Sequence, residues 1–212
     1  MANTEIVDNR WGEKQAEDQI RELFSEDGTI YLVTGYFTAS GYRVLRPDIE
    51  TFLARSPENR LIVIVSPTAD QFAPEIVRDL ERLDTADQVE LYKYPDGCLH
   101  AKLYLRTGEN PAAIIGSANL TKVGFTQNVE LSVRFDDDAL TDEAFESYLE
   151  WVEQLRAACT PIRRRDVLRP LLVLNSASIW LNKARLLPRR TLIHQPVVYV
   201  LLVIMMLFVF VS

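Results

Sequence analysis

The sequence is poor in the residues that build metal centres and disulfide frameworks. Of 212 residues only two are cysteine and two are histidine. Cys98 and Cys159 lie 61 positions apart, which gives no disulfide framework and suits a reducing, cytoplasmic compartment. His100 has no cysteine partner at ligand spacing, so the pattern offers no zinc site and no cofactor is expected. There is no internal repeat, and the stretch Met1 to Asp18 is polar and acidic rather than a secretory leader. Lysine is also scarce, five against 18 arginines. A net positive charge is lacking in the body, where a polyanion-binding protein would display it. Residues 1–162 carry 15 Lys and Arg against 29 Asp and Glu, whereas residues 163–212 carry eight against one Asp. An acidic body with few lysines suits a salt-loving cell. It equally suits an ordinary acidic surface around a small basic cleft.

The remaining sequence is patterned for an α/β fold. Trp11 to Phe24 places Ala16, Ile20, Leu23 and Phe24 on one helical face, and Asp27-Gly28 ends the run. Thr29 to Phe37 reads as a strand followed by a glycine-containing turn over residues 38–41. Val44 to Arg55 is an expected helix, with Pro47 near its first turn. The unbroken apolar run in Arg60 to Val65 suits a strand buried on both faces. Pro74 to Leu83 is helical, Val89 to Tyr94 a strand, and Asp142 to Ala158 a helix with Phe145, Leu149, Val152 and Leu155 inward. Asp136-Asp137-Asp138 is a solvated turn capping that helix. The sum is a mixed β-sheet with helices on both faces.

Between residues 99 and 133 three apolar or alternating runs carry one polar set. His100 and Lys102 are two apart, and on a strand would share a face. Ser117 and Asn119 are likewise two apart, where a strand runs out into a turn. Glu130 lies opposite in phase to Val129, Leu131 and Val133. If the three segments are neighbours, an imidazole, an ammonium, a hydroxyl, an amide and a carboxylate meet in one pocket. An imidazole oriented by a carboxylate can attack an electrophile. An ammonium and an amide can hold phosphate oxygens and neutralise developing charge. Taken alone, each fragment has a structural reading, a solvated strand edge or a common turn. Taken in order, they suit metal-independent phosphoryl transfer.

His100-x-Lys102, Gly116-Ser117-x-Asn119 and Glu130 resemble the motif of the phospholipase D superfamily, most of all its endonuclease-like branch. Gly35-Tyr36-Phe37-Thr38-x-x-Gly41 and the segment Gly116 to Gly124 resemble the version fused to some DNA helicases. The resemblance covers roughly Gln15 to Leu155. It implies the phospholipase D-like fold, a phosphohistidine on His100, phosphate binding by Lys102, Ser117, Asn119 and Thr121, and Glu130 orienting His100. The family often has an aspartate five residues after the lysine; here Thr107 stands there. The family's usual proton donor is a second imidazole. His194 lies in the basic tail, so a second copy of His100 is expected from a homodimer.

The expected organisation is a phospholipase D-like domain over 1–160, a basic linker over 161–190 and an apolar tail over 191–212. The run Val197 to Val211 is uninterrupted but spans only about 23 Å as a helix, against a hydrocarbon core of about 30 Å. Three readings stay open for the tail: a membrane anchor, a dimerising or core-packing element, and a truncated gene. The substrate expectation is nucleic acid, DNA first. The alternatives are a DNA-binding module without turnover and a phospholipid hydrolase at a membrane.

Overall fold

The computed structural model describes residues 4–11, 15–66, 74–95, 99–136 and 142–162. The chain divides into units Met1–Val167 and Leu168–Ser212. Residues 163–212, which hold the tail reading and all but the first two residues of the linker reading, lie outside the described residues. Among the described residues no helix is long and apolar enough to cross a membrane.

In chain order the elements are β1 (Thr4–Asp8), α1 (Ala16–Glu22) with a 3₁₀ turn (Leu23–Ser25), β2 (Thr29–Thr34), α2 (Ala39–Arg55), β3 (Arg60–Val65), α3 (Pro74–Leu83), β4 (Val89–Lys93), β5 (Leu103–Arg106), β6 (Ala112–Gly116), α4 (Lys122–Thr126), β7 (Leu131–Asp136), α5 (Asp142–Ala158) and β8 (Thr160–Pro161). The strands form one sheet in the order β1-β7-β6-β5-β2-β3-β4-β8. β2, β3 and β4 are parallel, and the other pairings are antiparallel. The expected mixed sheet is therefore present.

Alternation along the strands sends side chains to two cores. Leu32, Val63, Tyr104 and Ile114 pack with Ile20, Leu45, Phe52, Ile76, Leu80 and Phe125 of the helices on one face. Tyr31, Val33, Ile62, Ile64 and Leu105 pack with Val152, Phe145 and Leu149 of α5 on the other. Each fully buried Leu, Ile or Phe contributes about 1.5–3 kcal/mol of transfer free energy. The central strands are accordingly apolar on both faces, and β3, α3 and α5 match their expected bounds.

Several boundaries differ. The frayed start contains β1, an edge strand in which Val7 is buried while Ile6 is 67% exposed. The first helix begins at Ala16, with Trp11 in a turn and 77% exposed. α2 begins five residues early, because Thr38 caps it by accepting from the Gly41 N–H at 3.2 Å. Only glycine fits in that first turn, because a Cβ at position 41 would lie 2.2 Å from the Leu120 carbonyl oxygen. Pro47 is thus interior, held in place by the burial of Leu45, Ile49 and Phe52. β2 stops at Thr34, after which the chain turns away and Phe37 is joined to Leu120 by an isolated bridge.

Candidate active site

Antiparallel pairing brings four strand ends to one edge of the sheet. Val33 at the end of β2 faces Leu103 at the start of β5; Leu103 faces Ile115 near the end of β6; Gly116 faces Ser132 near the start of β7. The candidate residues lie just outside these ends. His100 and Lys102 precede β5, Ser117 and Asn119 follow β6, and Glu130 precedes β7. This corrects the expectation that His100 and Lys102 occupy a strand. The backbone at 99–102 is irregular, and the ladder reaches it only through the Gly116 N–H donating to the Lys102 carbonyl at 3.3 Å.

The loop after β6 crosses the start of β5. Asn119 turns its amide oxygen toward β2, where it accepts from Thr34 Oγ1 and the Tyr36 N–H, both at 3.2 Å. With the oxygen so engaged, the Nδ2 hydrogens are the face left for a ligand. Tyr104, fully buried below, donates to the Ala118 carbonyl at 2.6 Å. Burial raises its phenol above the ordinary value; Thr34 opposes the rise and the nearby Glu130 carboxylate adds to it. Gly35 is required by close approach: a Cβ there would lie 2.8 Å from the Leu99 carbonyl oxygen and 3.4 Å from Asn119 Oδ1. The residue before His100 and the amide of Asn119 thus meet at the end of β2.

Ser117 faces the opposite way, toward β7. Its hydroxyl donates to Glu130 Oε2 at 2.5 Å and accepts from the Leu131 N–H at 3.0 Å. Asn128 Nδ2 donates to Glu130 Oε1 at 2.9 Å. Lys102 is 6% exposed, and its ammonium donates to the His100 carbonyl at 2.6 Å. A cation held out of bulk water favours an anion beside it. The His100 side chain is exposed and makes no hydrogen bond or ion pair among the described residues. Glu130 is thus held by Ser117 and Asn128, and no bond joins it to His100. Thr121 is turned inward to cap α4, accepting from the Gly124 N–H at 2.9 Å.

Three supporting residues escaped the reading of the chain as chemistry. Thr34 and Tyr36 orient Asn119, and Asn128 orients Glu130. The Gly-Tyr-Phe-Thr segment was visible only as a resemblance; Asn128 had no signal beyond lying two residues from Glu130. Thr107 sits at the other end of β5, where its N–H donates to the Thr29 carbonyl at 2.9 Å and its hydroxyl accepts from the Thr29 N–H at 3.3 Å. Four strand residues separate it from Lys102, so the missing aspartate lies outside this pocket.

Chemically the edge offers an exposed imidazole, a buried ammonium, an amide with its donors outward and a carboxylate–hydroxyl pair. That is an arrangement able to receive a phosphate and attack it. Residues 16–155 match the family described as cardiolipin synthase, PLD-like domain. No curated protein matches. Among solved structures the chain is similar to Nuc from Salmonella typhimurium, a phospholipase D family member (TM-score 0.60, 14% identity, 77% of this chain and 99% of that one). It is also similar to NucT from Helicobacter pylori (0.59, 14%, 76% and 100%). A third is the phosphatidylserine synthase of Haemophilus influenzae Rd KW20 (0.58, 17%, 85% and 46%). These likenesses are of fold, and with the match over most of the chain they lead to one conclusion: the chain belongs to the phospholipase D-like domain family.

Proposed function

We propose that the protein is a phosphodiesterase that cleaves nucleic acid, DNA first, without a metal, through a phosphohistidine on His100. One imidazole nitrogen attacks phosphorus, and the P–O bond to the leaving oxygen breaks as that oxygen takes a proton from a second imidazole. Water, giving its proton back to that imidazole, then attacks phosphorus, breaking the P–N bond and restoring His100. Lys102 and the Asn119 amide stabilise the non-bridging oxygens as their charge grows. Ser117 holds Glu130, whose remaining lone pairs are available to orient an imidazole in the assembled site. The second imidazole is His100 of a second copy, which makes the active species a homodimer. His194, the alternative within the chain, lies outside the described residues.

The observation that carries this reading is the convergence of residues 100, 102, 117, 119 and 130 at one sheet edge. It is tested with plasmid DNA in excess chelator. Cleavage is expected to persist in chelator and to vanish in His100→Ala. A variant that binds DNA as tightly as the parent, from a parent that never cleaves, would instead favour a binding module. The family description and the synthase-like fold favour a second reading, phospholipid hydrolysis. Headgroup release from phosphatidylcholine vesicles, with DNA untouched, would establish that reading in place of the first.

A further inference from the structure

Among the described residues, a cleft of the acidic body is lined by four arginines. It lies between α2 and α3, has a volume of about 300 Å³, and is bordered by Arg43 and Arg46 on one side and Arg78 and Arg82 on the other. Helical spacing explains the clustering. Ala39, Tyr42, Arg43 and Arg46 recur at three and four residues on α2, as do Glu75, Arg78, Asp79 and Arg82 on α3, so each set forms one face.

Part of this charge holds the helices together. Arg46 Nε reaches Asp79 at 2.5 Å, Tyr42 donates to the same carboxylate at 2.8 Å, and Arg46 also meets Glu50 at 2.7 Å. Arg43 pairs with Glu75 at 3.5 Å, but both side chains are mostly exposed and the pair is screened. The remainder makes no such bond, and Arg82 reaches Asp79 through its charge alone. Arg78 and Arg82 are exposed, one helical turn apart, and form no hydrogen bond or ion pair among the described residues. With the two carboxylates already bonded, the cleft keeps an excess of guanidinium. Two planar forks over a concave wall suit phosphate oxygens.

The position of the cleft joins it to the candidate active site. Both β2 and β3 end at the active edge, since Thr34 pairs with Val65, and α2 starts from that edge. Ala39, which lines the cleft, lies three residues after Tyr36, whose N–H holds Asn119. Three residues span at most about 10 Å. We infer that this cleft is the backbone track of the substrate: it binds phosphates of the nucleic-acid strand a few nucleotides from the one attacked at His100. The inference rests on the nucleic-acid reading and adds the surface that lets an acidic protein hold a polyanion.

The test measures binding of a labelled 30-nucleotide DNA against salt, on the full chain in the His100→Ala background so that no cleavage intervenes. Arg78 and Arg82 are exposed and unpaired, so Arg78→Ala/Arg82→Ala keeps the thermal midpoint and near-ultraviolet dichroism of its parent. Each lost phosphate contact lowers the salt slope by about 0.7–0.9, so the double variant's slope falls by about 1.4–1.8. Glu75→Gln, which removes a repelling carboxylate, tightens binding several-fold. If the protein with His100 intact cleaves DNA yet the double variant keeps the full slope, the cleft is not the track and the nuclease reading stands. If the protein with His100 intact does not cleave DNA and the His100→Ala parent does not bind it, the nucleic-acid reading fails and takes this inference with it. Loss of binding to phosphatidylglycerol vesicles, with DNA binding unchanged, overturns the inference in favour of a lipid headgroup.

Discussion

At the far end of the sheet, where Gly28 meets Thr107, polar side chains are spent on the backbone. Asn59, 1% exposed, accepts from the Gly28 N–H at 2.9 Å and donates to the Phe52 carbonyl at 2.8 Å and to Asp27 at 3.0 Å. Gln88, 2% exposed, donates to the carbonyls of Leu53, Ser56 and Asn59. Arg106 closes the Asn110 and Leu23 carbonyls, and burial lowers its pKa from the ordinary value. At the active edge the same residue types are held from behind and left open in front. Asn119 is gripped by its oxygen and Glu130 by two neighbours, while His100 projects unbonded. A polar group closed on all sides stabilises the fold; one anchored on a single side is positioned to act.

The contrast predicts opposite responses at the two ends. The largest effect is expected for His100→Ala, which removes the nitrogen proposed to attack phosphorus. Phosphodiester cleavage falls by at least about a thousandfold, whereas the urea midpoint barely moves because the imidazole is exposed. An activity loss accompanied by equal unfolding would erase the distinction. Lys102→Ala follows, losing about a hundredfold to a thousandfold in turnover through lost charge stabilisation, read as kcat under saturating substrate.

Asn59→Ala reverses the pattern. It strands the Gly28 N–H and the Phe52 carbonyl, so urea unfolding shows a loss of about 2–3 kcal/mol, while cleavage per folded molecule is unchanged. The smallest effect belongs to Asp27. Its carboxyl is held below the ordinary value, first by the hydrogen bond from Asn59, then by Arg55, against a desolvation that opposes them. A depressed folded pKa gives stability that is complete above the unfolded carboxylate value and is lost as pH falls through the folded one. Asp27→Asn therefore flattens the acid limb of a stability–pH profile below pH about 4 and leaves neutral activity alone. A steeper limb in the variant would contradict the assignment.

The far end was hard to read in advance for the same reason that it is stable. Nothing local marks Asn59 or Gln88 as structural, because their partners lie 7 to 35 residues away. The active edge was more legible: His100, Lys102, Ser117, Asn119 and Glu130 stand in an order and spacing that suggest one pocket. The strand assignment around His100 failed where alternation continued past the end of the hydrogen-bonded ladder. The arginine cleft was not legible in the sequence, since Arg43, Arg46, Arg78 and Arg82 are interleaved with acids along the chain and separate from them only on helical faces.

Periodicity by itself determined the buried central strands, the helices α3 and α5 and the α/β class, because burial of alternate or every-third-and-fourth residues is a local property of the chain. Tertiary structure alone decided which strands are neighbours and which ends share an edge. It also decided that Glu130 is held by Ser117 and Asn128, and that two helices of an acidic protein face each other with arginine. The strand neighbours and the arginine faces depend on pairings between segments distant in sequence; the grip on Glu130 is closer in sequence, 2 and 13 residues away, but depends on how the loop after β6 and the start of β7 are folded against each other.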